Sequence, residues 1–200
     1  MITIVDYGAG NLSSVVNAVR FLGETPHVTA DADEIAAADR IILPGVGAFG
    51  ECMKRLRSDG VADALTVSVS KGTPLFGICL GLQLLFDYST EFGHNDGLGL
   101  ICGGVEKLTT AGLKLPHIAW TSIDVRPESR LLDGVASGEY FYFVHSYRAK
   151  AADPRDEAAT AEYGEPFTAA VESDNIFATQ FHPEKSGAAG LKILSNFLKI

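Results

Sequence analysis

A cysteine stands between two glycines in Gly77-Ile78-Cys79-Leu80-Gly81, directly after the apolar run Pro74 to Phe76 and directly before a helical pattern. This is the layout of a nucleophile elbow, in which a strand turns sharply into a helix and the two backbones approach too closely for flanking side chains. The turn would lift Cys79 to a helix N-terminus, where unpaired amides and the helix dipole favour a thiolate. Taken alone, these five residues fit a small buried thiol equally well. Cys52 and Cys102 have no such setting and read as plain buried side chains.

A cysteine nucleophile needs a base, and the base needs a group that holds its tautomer. Of five histidines, only His182 sits in a compact set, Gln180-Phe181-His182-Pro183-Glu184. Pro183 restricts the backbone so that the Glu184 carboxylate can reach back to the ring, the alternative being a surface turn with a solvated glutamate. His27, His94 and His117 read as turn or surface residues, whereas His145, at a strand end in Phe143-Val144-His145-Ser146-Tyr147, is a further candidate. Acyl transfer also requires donors for an oxyanion. The Pro44-Gly45-Val46-Gly47 turn exposes amides of Gly45, Val46 and Gly47, and the Leu80 amide follows the nucleophile directly. Neither this turn nor Tyr7 to Gly10 matches a Walker loop or a dinucleotide fingerprint, so phosphate binding is the weaker reading.

The elements that must position these groups follow from the pattern of the chain. Two hundred residues with 46% hydrophobic and 20% charged content suit one globular domain spanning 1–200. The net charge of −9 argues against a nucleic-acid or anionic-membrane partner. The start MITIVDYGAG carries no cationic leader, and the three cysteines are an odd number without metal-type spacing. A cytoplasmic protein without metal or cofactor is therefore expected.

Through the first hundred residues short apolar runs alternate with helical patterns, the signature of parallel βαβ units. Strands are expected at Ile2 to Val5, Arg40 to Leu43 and Pro74 to Phe76. A helix capped by Asn11 or Ser13 should bury Leu12, Val15, Val16, Val19 and Leu22, and the helix after Cys79 should bury Leu82, Leu85 and Phe86. Beyond about residue 104 come short strands around 118–125, 140–147, 158–163, 168–172 and 176–180, an antiparallel extension of the sheet. A last helix packs Leu191, Leu194, Phe197 and Leu198 inward.

Taken together, the PGVG turn, the GICLG elbow and His182-Pro183-Glu184 resemble the class I (triad) glutamine amidotransferases. Asp6 to Leu12, PGVGAF, Tyr142 to Tyr147 and FHPEKS at 181–186 are most similar to the branch that feeds a separate cyclase in histidine biosynthesis. The resemblance spans essentially the whole chain. It implies an α/β, flavodoxin-like three-layer sandwich with a central, mostly parallel sheet and an antiparallel extension. It implies that Cys79 attacks the side-chain amide of L-glutamine, His182 shuttles protons and Glu184 orients His182. Gly45 and Gly47 would flank the oxyanion site, in a strip thought to rearrange in this family when the partner is loaded. Gln83, Glu91, Ser146 and Tyr147 would contact substrate. Ammonia would pass to a (β/α)8 cyclase subunit, which completes an imidazole ring and releases imidazole glycerol phosphate and an aminoimidazole carboxamide ribotide. Asn11, Trp120, Tyr142 and Lys185 would face that subunit. The chain departs from the family's usual PHxGWN segment, with Ala119 for glycine and Thr121 for asparagine, which bears on the partner surface near Trp120. A second reading is a thiol-sensing protein on a related scaffold, which would have no need of the His-Pro-Glu set.

Overall fold

The computed structural model describes residues 1–8 and 12–200; Asn11, a proposed cap and partner contact, lies outside the described residues. The first half alternates as the pattern requires: β1 (Ile2–Val5), α1 (Leu12–Phe21), β2 (His27–Thr29), α2 (Ala32–Ala36), β3 (Arg40–Gly45), α3 (Phe49–Ser58), α4 (Val61–Ser70), β4 (Leu75–Cys79) and α5 (Leu80–Leu84). The second half holds β5 (Phe86–Ser89), β6 (Asn95–Asp96), β7 (Ile101–Lys107), β8 (His117–Val125), β9 (Tyr140–His145), β10 (Tyr147–Ala151), β11 (Glu157–Glu162), β12 (Pro166–Ser173), β13 (Ile176–Thr179) and α6 (Gly187–Phe197).

Nine strands form the main sheet in the order β2-β1-β3-β4-β13-β12-β11-β8-β9. The pairs from β2 to β13 are parallel and those from β13 to β9 antiparallel, the α/β, flavodoxin-like plan with an antiparallel extension. Alternation along β3 sends Ile42 to one face and Ile41 and Leu43 to the other. On the Ile42 face α1 contributes Val15, Val16 and Val19, and α6 contributes Ile193, Leu194 and Phe197. On the opposite face lie Ile35 of α2, Phe49 and Leu56 of α3 and Leu65 of α4. Leu12, Leu22, Leu191 and Leu198 pack at the margin of the first core rather than inside it, and Ser13 lies within α1 instead of capping it. Among the described residues no helix is long and apolar enough to cross a membrane.

The structure corrects three local expectations. The helix after Cys79 ends at Leu84, and Phe86 opens β5. The amides of Leu98, Leu100 and Gly99 take the carbonyls of Leu84, Leu85 and Phe86, so a longer helix has lost its acceptors to a distant segment. The 140–147 strand is two strands: the chain leaves the main sheet after His145 and enters a second, four-stranded sheet, β10-β7-β5-β6, at Tyr147. Cys102 is exposed on β7, whereas Cys52 is buried as expected.

The glycines of the elbow have the steric role their spacing implies. A Cβ on Gly81 would penetrate the carbonyl oxygen of Leu43 on β3, and one on Gly77 would lie 2.8 Å from the carbonyl carbon of Gly81. Both obstacles are backbone and cannot swing away. Gly81→Ala is expected to destabilise the protein by about 2–4 kcal/mol, seen as a lower urea midpoint at unchanged slope.

Candidate active site

Sheet order and register assemble the site. β4 lies between β3 and β13, with Gly45 opposite Cys79 on one side and Thr179 opposite Ile78 on the other. Loops leaving the C-terminal ends of parallel strands meet at one edge, so the elbow, the 44–47 turn and the segment after β13 converge there. Cys79 adopts φ 56°, ψ −107°, a backbone conformation that non-glycine residues avoid and that marks a strained turn.

Sequence-distant groups line one cavity of about 300 Å³ at this edge: Val46, Gly47, Cys79, Leu80, Gln83 and Glu91 from the first half, and Ser146, Tyr147 and His182 from the second. That is the lower end of the range for small-molecule pockets and suits an amino acid. Gly45 does not line it. Its α-carbon faces the Tyr7 hydroxyl and Leu80, and a side chain there would collide with both. Among the described residues no group of three or more His, Cys, Asp or Glu is disposed to hold a metal ion.

His182 is buried at the cavity wall, and its Nδ1 lies 2.8 Å from Glu184 Oε1. A short helical turn over Pro183–Lys185 brings the carboxylate back under the ring, as the His-Pro-Glu spacing suggested. The other ring nitrogen, Nε2, is buried without a hydrogen bond among the described residues. Burial alone would push His182 down; the Cys79 sulfur in its anionic form and the Glu184 carboxylate outweigh it and raise the imidazole to about 9. At neutral pH the imidazolium is therefore the favoured form, beside the Cys79 sulfur.

The remaining residues named from the sequence fall into two groups. Glu91 accepts a hydrogen bond from the Phe49 amide at 2.6 Å, tying the start of α3 to the cavity rim. Gln83 donates to the Tyr147 carbonyl at 2.9 Å, and the Ser146 carbonyl accepts from the Leu108 amide, so both walls are held from behind. Val46 accepts a long hydrogen bond, 3.8 Å, from the Cys52 thiol. Trp120, Tyr142 and Lys185 stand together outside the cavity. Trp120 is half exposed and paired with Tyr142 across β8 and β9, and Lys185 Nζ lies 6.0 Å from the Tyr142 ring. Tyr142 in turn has its ring centroid 6.4 Å from that of His182, so this surface is one side chain away from that imidazole.

His117 is not a turn or surface residue. It is buried on β8, paired in register with His145 and stacked on Tyr163 at 4.0 Å. His27 lies on β2, with its ring 2.8 Å from Glu34, and His94 is a surface residue. The hydrogen bonds fix both buried tautomers. His145 Nδ1–H must donate to the Tyr147 carbonyl at 2.8 Å, leaving Nε2 to accept from His117 Nδ1–H at 3.1 Å. His117 Nε2 then accepts from the Thr121 hydroxyl at 2.8 Å. Thr121 thus turns inward. Burial pushes His117 down to about 4 and His145 down to about 3, so both are neutral.

In the unfolded chain both rings titrate near 6.5. Between there and about pH 4 the unfolded state binds more protons, so stability present above pH 6.5 is lost as the pH falls. His182, shifted the other way, acts in a separate window: its contribution is full below pH 6.5 and lost as the pH rises through about 9. Urea unfolding between pH 6 and 4.5 is expected to lose about 1 to 1.4 kcal/mol per pH unit for each neutral ring. His117→Phe, which keeps the ring stack, should make that slope shallower; an unchanged slope would contradict the assignment.

Of the residues lining the cavity, Pro116 and Val144 were not named individually from the sequence, although each lies in a segment that carries the family resemblance. His145 had a signal of its own, its place at a strand end.

Comparison with known proteins places this geometry. A family model described as glutamine amidotransferase class-I matches residues 3–200. The imidazole glycerol phosphate synthase subunit HisH of Methanothermobacter thermautotrophicus is 50% identical, covering 100% of this chain and 98% of its own. The subunit of the same name from Syntrophotalea carbinolica is 48% identical, covering 98% of each chain. Among solved structures, PurLQS from Thermotoga maritima superposes with a TM-score of 0.77 at 21% identity, over 99% of this chain and 97% of that one. A structure described as a glutamine amidotransferase gives 0.76 at 19% identity, over 99% and 97%.

Proposed function

Because the chain belongs to the class-I glutamine amidotransferase family, we propose that it is the glutaminase subunit of an imidazole glycerol phosphate synthase and acts through a Cys79–His182–Glu184 triad. It hydrolyses L-glutamine to L-glutamate and ammonia for histidine biosynthesis. The observation that carries the mechanism is the buried His182–Glu184 pair on the same cavity wall as the strained Cys79.

Cys79 Sγ attacks the side-chain carbonyl carbon of glutamine, and the carbonyl oxygen becomes an oxyanion. The Leu80 amide, which directly follows the nucleophile, and the amides of Val46 and Gly47 at the cavity edge receive it. His182 gives its proton to the departing nitrogen, which leaves as ammonia, and a thioester remains. Water then attacks the thioester while His182 takes one of its protons. The C–S bond breaks, glutamate leaves and the thiolate and imidazolium are restored. Glu91 and Gln83, with Ser146 and Tyr147, hold the amino-acid end of the substrate.

The partner is a (β/α)8 cyclase, docked in a cytoplasmic heterodimer over Trp120, Tyr142, Lys185 and Asn11, with ammonia passing directly between the subunits. A half-exposed tryptophan in tilted contact with a tyrosine that a lysine flanks is the kind of anchor that dominates interface energies. The whole chain, 1–200, serves as one amidotransferase domain. Glutamate release measured with and without the cyclase and its nucleotide substrate tests reaction and partner together. Stimulation by the cyclase is the expected result, and glutamine left intact in its presence would refute the reading.

A further inference from the structure

The structure assigns Gln180 as a further catalytic residue, one that donates a hydrogen bond to the sulfur of Cys79 from behind the cavity. This assignment deepens the glutaminase reading and rests on it. Register places Gln180 where it can do this: Thr179 of β13 is paired with Ile78 of β4, so the next residues along, Gln180 and Cys79, leave the sheet side by side. Gln180 is fully buried, with its Nε2 3.9 Å from Cys79 Sγ.

The polarity of this contact follows from a chain of obligate partners. The Tyr147 carbonyl can only accept, so the end of the Gln83 amide 2.9 Å away is the donor Nε2. That same nitrogen, which cannot accept, is 3.0 Å from Gln180, so the Gln180 atom it meets is Oε1. The end of Gln180 turned to the sulfur is therefore its NH₂. Donation to the Tyr147 carbonyl by His145 Nδ1–H, itself braced by His117 and Thr121, holds the first link in place. A buried N–H aimed at a sulfur favours the anionic form, because hydrogen bonds to ionised acceptors are stronger than those to neutral ones. Gln180 does not line the cavity, so it meets the nucleophile without meeting the substrate.

The test is alkylation of Cys79 by iodoacetamide at pH 7, followed by mass spectrometry of the Cys79 peptide, alongside steady-state glutaminase kinetics with the cyclase present. In Gln180→Glu the acceptor for Gln83 is kept and the donor facing the sulfur is replaced by a carboxyl oxygen. Its alkylation rate and kcat are expected to fall about tenfold or more, with the KM for glutamine within about twofold of the parent. In Gln180→Met, which has no donor and no charge, a smaller fall of about threefold is expected, since the loss of thiolate is partly offset by a more nucleophilic sulfur. Thermal unfolding of each variant gives the folded fraction against which rates are scaled. Parental alkylation and kcat in Gln180→Glu, or losses in both variants that merely track the unfolded fraction, would overturn the assignment. A parent enzyme that releases no glutamate would defeat the glutaminase reading instead, while the alkylation comparison still reports on the contact.

Discussion

Cys79→Ala is expected to lower cyclase-stimulated glutamate release by about 10⁴-fold or more, the scale on which removal of a covalent nucleophile acts when the remaining groups stay in place. Fold and partner binding should survive. The backbone strain at φ 56° is held by the Gly77–Gly81 and Gly81–Leu43 approaches and not by the thiol, and alanine adds no atom to the buried turn. The decisive control bypasses the glutaminase. With ammonium salt supplied in place of glutamine, the cyclase mixed with Cys79→Ala should form imidazole glycerol phosphate at the parental rate. A variant that keeps the glutamine-dependent rate would mean that another group attacks the amide. The other two thiols offer no substitute, since Cys52 is engaged with the Val46 carbonyl and Cys102 lies exposed on β7, outside the cavity.

Glu184→Gln is expected to reduce kcat by about 10³-fold with little change in KM, because the substitution alters charge and proton pattern without altering shape. Two consequences act together. His182 loses an anion 2.8 Å from Nδ1 that helps, with the anionic Cys79 sulfur, to raise the imidazole to about 9 against the cost of burial. The neutral amide also ceases to require a proton on Nδ1, so the ring is free to take the wrong tautomer toward the sulfur. The sign of the pH effect follows. Removing a carboxylate that raises the imidazole lowers its titration point, so activity that depends on the imidazolium should fall off at a lower pH in the variant. The kcat/KM profile from pH 6 to 10 measures this, and a profile superimposable on the parent's would show that Glu184 does not set the state of His182.

Both residues were legible in the sequence because each belongs to a motif whose geometry is local. Two glycines around a cysteine between a strand and a helix encode a backbone approach within a single turn. A proline between histidine and glutamate encodes the return of a carboxylate over three residues. His117 shows the opposite case. Nothing in Leu115-Pro116-His117-Ile118 marks that ring as buried, because its burial comes from Tyr163 stacked on it from β11–β12 and from His145 opposite it on β9. Phe86 fits a helical pattern as well as a strand, and the choice fell to carbonyls taken by residues 98–100. Gly45 had the spacing of an oxyanion donor, yet its α-carbon packs against Tyr7 and Leu80, outside the cavity lining.

The chemical vocabulary of this protein, a thiol, an imidazole, a carboxylate and glycine-rich turns at strand ends, was written in the order of its residues, since side-chain type and short spacing are properties of the chain itself. Which of those groups meet was decided by the tertiary structure. Only the parallel pairing of β13 with β4 brings residues about a hundred positions apart to one sheet edge, and only the exit of the chain at Ser146 into the second sheet closes the cavity wall. Those pairings depend on competition among distant backbone donors and apolar faces for the same partners, which no short stretch of sequence contains.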